Sequence, residues 1–111
     1  MPGPVDAQRQ ADDGGPRMAR LRANRDRVLR VAHRHGASHV RVIGSVARGE
    51  DGPHSDVDLL VDLDVHTRGL LPLGAIADEL SALLGERVDV VASAALAPEV
   101  IASAIKDAVP L

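Results

Sequence analysis

Apolar and acidic residues alternate along the segment from residue 56 to residue 65. Val57, Leu59, Val61, Leu63 and Val65 take one set of positions, and aspartates fill four of the others. Only Leu60 breaks the alternation. A period of two is typical of a β-strand with one buried face, because successive side chains of a strand point to opposite sides. The segment therefore predicts a strand that carries a row of carboxylates.

Helical spacing of apolar residues and short β-branched runs predict the rest of the domain. A loop rich in glycine and proline is predicted over residues 49–54. The predicted order is helix, strand, short helix, strand, helix, strand, helix. The predicted helices cover residues 17–35, 46–48 and 73–84 and a segment from Pro98 onward, and the other two strands cover residues 40–43 and 88–91.

Chain length allows one domain, since 111 residues fall within the usual size of a single domain. Residues 1–17 are rich in proline, glycine and aspartate and poor in bulky apolar side chains. Such a segment cannot offset the entropy cost of ordering, so we predict a disordered tail over 1–17 and a folded domain over 18–111.

The composition excludes several classes of site. Cysteine is absent, which rules out disulfide scaffolds, thiolate zinc sites and cysteine nucleophiles. Phenylalanine, tyrosine and tryptophan are also absent, so bases cannot stack on aromatic rings and direct nucleic-acid binding is not expected. No uncharged apolar run approaches the roughly 18 residues of a membrane helix, and no secretory leader is recognisable. The sequence predicts a cytoplasmic protein.

Charge is divided unequally along the chain. Residues 17–49 contain nine arginines and one aspartate, a net charge of +8, whereas residues 50–111 contain twelve acidic and three basic residues, a net charge of −9. Either the folded surface has a positive and a negative pole, or one part folds against the other. The arginine-rich first helix is a candidate docking surface, although a solvated helix face explains it equally well.

Three aspartates are candidates for a metal site. Asp56 and Asp58 lie two positions apart on one strand, so their side chains leave the same face about 6.5 Å apart. Asp89 interrupts an apolar strand, where a carboxylate is unfavourable without a partner. If the two strands pair, three carboxylates converge where two Mg²⁺ ions could bind. The alternative is an acidic strand face exposed to solvent.

Gly44 and Ser45 follow the first predicted strand, at the start of a turn. Glycine lets a phosphate approach the backbone, and the following N–H groups with the serine hydroxyl can hold phosphate oxygens. Arg48 would add charge-assisted contacts. The pattern Gly-x4-Gly-Lys-Ser/Thr is absent, which disfavours a P-loop NTPase.

These residues together resemble the nucleotidyltransferase superfamily that includes DNA polymerase beta. Gly44-Ser45, ten intervening residues, Asp56-Val57-Asp58 and a later aspartate in a Val-Asp-Val strand match its motif. The fuller segment GSVARGEDGPHSDVDLLVDL is similar to the minimal nucleotidyltransferases, the antitoxin halves of HEPN–nucleotidyltransferase toxin–antitoxin pairs. The resemblance implies a small α/β (α+β) nucleotidyltransferase fold, a short mixed sheet of three to four strands flanked by helices.

The resemblance also implies roles for individual residues. Asp56, Asp58 and Asp89 would be catalytic and would bind two Mg²⁺ ions, and Asp89 would help to deprotonate the attacking hydroxyl. Gly44 and Ser45, with Arg48 beside them, would bind the phosphates of an NTP such as ATP. An acceptor hydroxyl would attack the α-phosphate, and pyrophosphate would leave.

In the antitoxin group the acceptor is a tyrosine of the HEPN toxin, which predicts a hetero-oligomer with that partner. This chain has no tyrosine, so it cannot modify itself in that way. Two other functions stay open. One is a non-catalytic antitoxin that neutralises its partner by binding, and the other is a small-molecule nucleotidyltransferase, which would need a second domain to hold its substrate.

Overall fold

The computed structural model describes residues 15–111. Within this part of the chain, a four-stranded mixed sheet is flanked by six α-helices, which confirms the predicted fold class. The helices are α1 (Pro16–Ala23), α2 (Arg25–Arg34), α3 (Gly44–Arg48), α4 (Val65–Arg68), α5 (Leu71–Leu84) and α6 (Pro98–Asp107). The strands are β1 (Ser38–Ile43), β2 (Val57–Asp62), β3 (Val88–Ala92) and β4 (Val109–Pro110), and a 3₁₀ turn spans Ser93–Ala95.

The sheet has the order β3-β2-β1-β4. β1 pairs antiparallel with both β2 and β4, whereas β2 and β3 are parallel and are connected through α5. The aliphatic residues on one face of β2 join a core to which Met18 and Leu21 of α1 contribute fully buried side chains. Leu60, which breaks the alternation, is also fully buried but lies outside that cluster, so β2 buries apolar side chains on both faces.

Several element boundaries differ from the predictions. The predicted helix over 17–35 is two helices, because the Asn24 side chain donates to the Arg20 carbonyl at 2.9 Å and competes with the helical backbone. The predicted strand does not reach Val65, because the Asp64 carboxylate accepts from the Thr67 N–H at 3.3 Å and starts α4. β4 was not predicted, since it is two residues long and contains a proline.

Most of the predicted tail falls outside the described residues. The first helix of the described part begins at Pro16, so residue 16, which was assigned to the tail, is helical, as is residue 17, where the predicted tail and the predicted helix overlap. Within residues 15–111, no helix is both long enough and apolar enough to cross a membrane.

Candidate functional site

The sheet places Asp58 beside Asp89, and Asp56 lies near Asp58. In the parallel ladder, Asp58 of β2 is the register partner of Asp89 of β3, so the two side chains leave the same face of the sheet. Asp56 precedes β2 and also lies close enough to act on Asp58 electrostatically. Asp56, Asp58 and Asp89 are called the carboxylate cluster below.

Burial differs among these aspartates. Asp56 and Asp58 are half-buried, whereas Asp89 is exposed. Asp89 lies on β3, an edge strand, at a position that faces solvent, so its carboxylate does not need the partner that a buried position would require. Its pairing with Asp58, rather than its burial, places it at the site.

The electrostatics of the cluster favour a cation. Burial raises the pKa of Asp58 above its ordinary value, and the negative charges of Asp89 and Asp56 raise it further. Arg87 is the nearest cation to Asp56, with its Nε 3.8 Å from the Asp56 Oδ2, and its side chain is largely exposed. Negative charge gathered around Asp58 in this way is what a divalent ion, bound together with a phosphate, would compensate.

Gly44 lies directly against the cluster. β1 ends at Ile43, the antiparallel register partner of Asp58, and Gly44 follows with a φ of +73°. A Cβ atom at Gly44 would lie 2.8 Å from the Asp58 Oδ2, closer than real contacts allow. Glycine is therefore required here by the backbone conformation and by the carboxylate together. Ser45, the next residue, is half-buried in the first turn of α3.

A cleft of about 440 Å³ opens from Gly44 between α3 and α6. This volume is within the range of small-molecule sites. Arg48 lines the cleft, and its Nε donates to Glu50 at 2.8 Å while its Nη1 lies 3.7 Å from an oxygen of Asp107. The cleft also contains the aliphatic side chains of Val100 and Ala104, and the acidic groups of Glu99 and Asp107.

Larger cavities of about 580 and 610 Å³ flank α2. Neither is lined by a residue of the carboxylate cluster, and each has arginine at its rim. We place the candidate site at the cluster and the adjoining cleft, because these residues have chemistry suited to phosphate and metal.

The fit of Mg²⁺ depends on what the nucleotide contributes. Within residues 15–111, no group of three or more His, Asp and Glu side chains is gathered closely enough to hold a metal ion alone. Mg²⁺ commonly binds through one or two carboxylates together with substrate phosphates and water, rather than in an all-protein cage. The half-buried pair of Asp56 and Asp58 fits that donor requirement, with Asp89 beside it.

The sequence did not single out Arg17 or Arg87. Arg87 directly precedes the Val-Asp-Val strand, so its position was readable, but its approach to Asp56 depends on strand pairing. Arg17 lies where the predicted tail and the predicted helix overlap, and its partners lie 34 to 69 residues away in the sequence. Such long-range contacts leave no local pattern.

Comparison with known proteins identifies a family and a fold. A family model described as "Nucleotidyltransferase domain" matches residues 28–111. A curated relative, the protein adenylyltransferase MntA of Thermococcus cleftensis, is 37% identical over 79 residues, which are 71% of this chain and 79% of the relative.

Two solved structures are similar to this fold. One, assigned as a minimal nucleotidyltransferase, has a TM-score of 0.73 and 47% identity, covering 82% of this chain and 92% of its own. The other is a toxin–antitoxin crystallised with AMP-PNP, with a TM-score of 0.64 over 78% of this chain and 71% of its own. At 17% identity, the second supports the fold alone.

Proposed function

This chain belongs to the nucleotidyltransferase family, and on that premise we propose that it is a protein adenylyltransferase. It would transfer AMP from ATP to a hydroxyl group of a partner protein. The single observation that carries this proposal is the carboxylate cluster, in which Asp58 and Asp89 share a face and the Asp58 carboxylate fills the space that a Cβ atom at Gly44 would need. Acidic side chains beside a glycine turn suit a metal-bound triphosphate.

Each nucleotide-binding residue has a role that follows from its position. Gly44 leaves room for a phosphate beside the backbone, and Ser45 supplies a hydroxyl and an N–H group at the start of α3. Arg48, in the adjoining cleft, offers a guanidinium once its contacts with Glu50 and Asp107 are released. The nucleoside would occupy the cleft between α3 and α6.

The transfer of AMP needs only ATP and the acceptor hydroxyl as reactants. The acceptor oxygen forms a bond to the α-phosphorus of ATP, the bond from that phosphorus to the bridging oxygen breaks, and pyrophosphate leaves. Asp89 is exposed and can accept the proton of the hydroxyl as it attacks. Mg²⁺ ions, when bound by Asp56, Asp58 and Asp89, would supply charge neutralisation at the phosphates.

The names of similar proteins suggest what kind of partner this chain modifies. A 37% identical relative is named a protein adenylyltransferase, and a similar fold occurs in a toxin–antitoxin. We propose that this chain is the antitoxin and that the acceptor is a tyrosine of a HEPN-type toxin. The absence of tyrosine from this chain is consistent with an acceptor supplied by another protein. Such a reaction would take place in the cytoplasm.

The test is a labelling reaction with the purified toxin, Mg²⁺ and ATP labelled at the α-phosphate. We expect label on the toxin, and a loss of about 10³-fold or more in Asp58→Asn, because several kcal/mol of charge stabilisation disappear. Asp64→Asn is the matched control, since asparagine caps a helix as well as aspartate does and Asp64 lies outside the cluster. Absence of label on the toxin, with ATP and with each of the other three NTPs labelled in the same way, would refute the proposal.

A non-catalytic antitoxin is the second candidate, and exposed apolar side chains favour it. Leu71 is 89% exposed and Leu70 is 60% exposed, while Val100 and Ile105 on α6 are about half exposed. A partner could cover such residues without any chemistry. This function predicts that a chain carrying Asp56→Asn and Asp58→Asn still protects cells from the toxin, whereas the enzymatic proposal predicts that protection is lost.

A further inference from the structure

The guanidinium of Arg17 joins two segments that lie far apart in the sequence. Its Nη1 donates to the Asp51 carboxylate at 3.0 Å and to the Gly52 carbonyl at 2.8 Å. Its Nη2 donates to the Pro53 carbonyl at 3.1 Å, and its Nε donates to the Glu86 carboxylate at 3.0 Å. One side chain at the start of α1 therefore binds both the loop before β2 and the turn before β3.

These two segments lead into the strands of the carboxylate cluster. The loop from Asp51 ends immediately before Asp56, at the start of β2. Glu86 is followed by Arg87, whose carbonyl accepts from the Val57 N–H at 2.9 Å, and β3 then begins. Arg17 thus holds the entries of the strands that carry Asp58 and Asp89.

The contacts of Arg17 are more constrained than those of a surface ion pair. The Arg17 side chain is 15% exposed, and that of Asp51 is 3% exposed. Glu86 also accepts from Arg20 at 2.7 Å, so a second arginine of α1 holds the same turn. Because Met18 and Leu21 bury α1 in the core, the helix is fixed independently of the Arg17 contacts.

We propose that Arg17 is a positioning residue for catalysis. It fixes the entry to β2 relative to the entry to β3, and so fixes the spacing of the carboxylates that receive the metal–nucleotide complex. α1 lies outside residues 28–111, the part that the family model matches. The inference rests on the proposed function, because it concerns the same site.

The experiment measures binding of Mn²⁺ with α,β-methylene-ATP, whose α–β linkage cannot be cleaved by transfer, by calorimetry on the full chain. We expect Arg17→Gln to weaken binding about 10-fold, the lower end of the effect of losing contacts that orient a metal ligand, because Arg17 acts through the segments that precede β2 and β3. Arg22→Gln is the matched control on α1, since Arg22 has no ion-pair partner within residues 15–111, and it should bind as the wild type does. Arg17→Lys should recover part of the affinity, because lysine keeps the charge but loses the fork of donors.

Thermal melting separates positioning from stability. If Arg17→Gln lowers only the melting temperature and binds like Arg22→Gln well below that temperature, the inference is overturned. Asp58→Asn tests the premise: if it too binds normally, the proposed function fails, whereas weakened binding in Asp58→Asn alone overturns only the role of Arg17.

A second variant, which removes only one ionic partner of Arg17, keeps the test decisive if Arg17→Gln does not fold. Glu86→Gln leaves Arg17 bound to Asp51, Gly52 and Pro53 but weakens its hold on the turn before β3. If Arg17→Gln does not fold, weaker binding of the nucleotide complex by folded Glu86→Gln supports the inference. Unchanged binding by that variant overturns it.

Discussion

Gly44 occupies a position where both the backbone and its surroundings exclude a side chain. We expect Gly44→Ala to cost about 1–3 kcal/mol of stability, because of the strained φ and the clash. It should also lower adenylyl transfer about 10²-fold, since the Asp58 carboxylate must move to make room. Transfer kinetics and denaturant unfolding measure the two effects.

Gly49 provides the matched control for that substitution. It has a φ of +70°, close to that of Gly44, but no atom lies within 4 Å of its virtual Cβ. Gly49→Ala should therefore lose only about 1–2 kcal/mol through backbone strain and keep its activity. Equal loss of activity in both variants would contradict a specific role for the contact between Gly44 and Asp58.

Asp58 should destabilise the metal-free protein at neutral pH. Burial, and then the charges of Asp89 and Asp56, raise its pKa above the ordinary 3.8. The folded state therefore binds the Asp58 proton more tightly than the unfolded state, and stability falls as pH rises through the raised pKa. Asp58→Asn should thus increase the free energy of unfolding at pH 7, and the increase should disappear well below pH 3.8.

Denaturant unfolding across this pH range tests the prediction for Asp58. Asp78→Asn on α5 is the same chemical change outside the cluster and should give no gain at pH 7. A loss of stability in Asp58→Asn at neutral pH would show that the carboxylate is already compensated by other groups.

At the scale of elements, the sequence predicts those helices and strands whose formation depends on the pattern of neighbouring residues. The alternation that identified β2 and the helical spacing that identified α5 are properties of neighbouring residues, and both elements are present. The predicted end of β2 was wrong because the Asp64 carboxylate accepts hydrogen bonds from the N–H and the hydroxyl of Thr67 and so caps α4. Pairing between distant strands determines that Asp58 meets Gly44 and Asp89, and the aspartate spacing could only suggest it.

Asp62 of β2 is hydrogen-bonded to β1 and to the 3₁₀ turn. Its effect on the pH dependence of stability should be opposite in sign to that of Asp58. Burial alone would raise its pKa, but hydrogen bonds from Arg41 of β1 at 2.7 Å and from Ser93 of the 3₁₀ turn at 3.0 Å outweigh burial and lower the pKa below 3.8. Stability from these contacts is present above pH 3.8 and is lost as the pH falls through the lowered value. Because the Asp62 side chain is 42% exposed, Asp62→Asn should cost about 1 kcal/mol or less at pH 7.

The same unfolding measurement at acid pH checks this assignment for Asp62. The difference between Asp62→Asn and wild type should vanish when Asp62 is protonated in both states. His39 Nδ1 lies 2.9 Å from Asp62, so the series is repeated in a His39→Asn background, where asparagine tolerates the φ of +50°. A difference that persists at low pH would mean that the asparagine alters packing rather than charge.

At the scale of the whole molecule, the basic and acidic parts of the chain fold against each other. Several arginines from residues 17–49 pair with carboxylates from residues 50–111, which agrees with the second of the two arrangements that the charge pattern allowed. These pairs are Arg17 with Asp51 and Glu86, Arg20 with Glu86, Arg34 with Glu79, Arg41 with Asp62, and Arg48 with Glu50 and Asp107. Helix α1 is therefore integrated with the domain through charge as well as through its buried side chains.

That integration predicts that the domain is only marginally stable without α1, which lies outside the residues 28–111 that the family model matches. Deleting residues 1–23 removes the buried side chains of Met18 and Leu21, each of which contributes about 1.5–3 kcal/mol, or about 3–6 kcal/mol together. A small domain has only about 5–15 kcal/mol in total, so the truncated chain should be marginally folded. Deleting residues 1–14 is the control and should leave unfolding unchanged, as the predicted tail requires. Equal stability of both truncated chains, measured by urea unfolding, would show that α1 is dispensable to the fold.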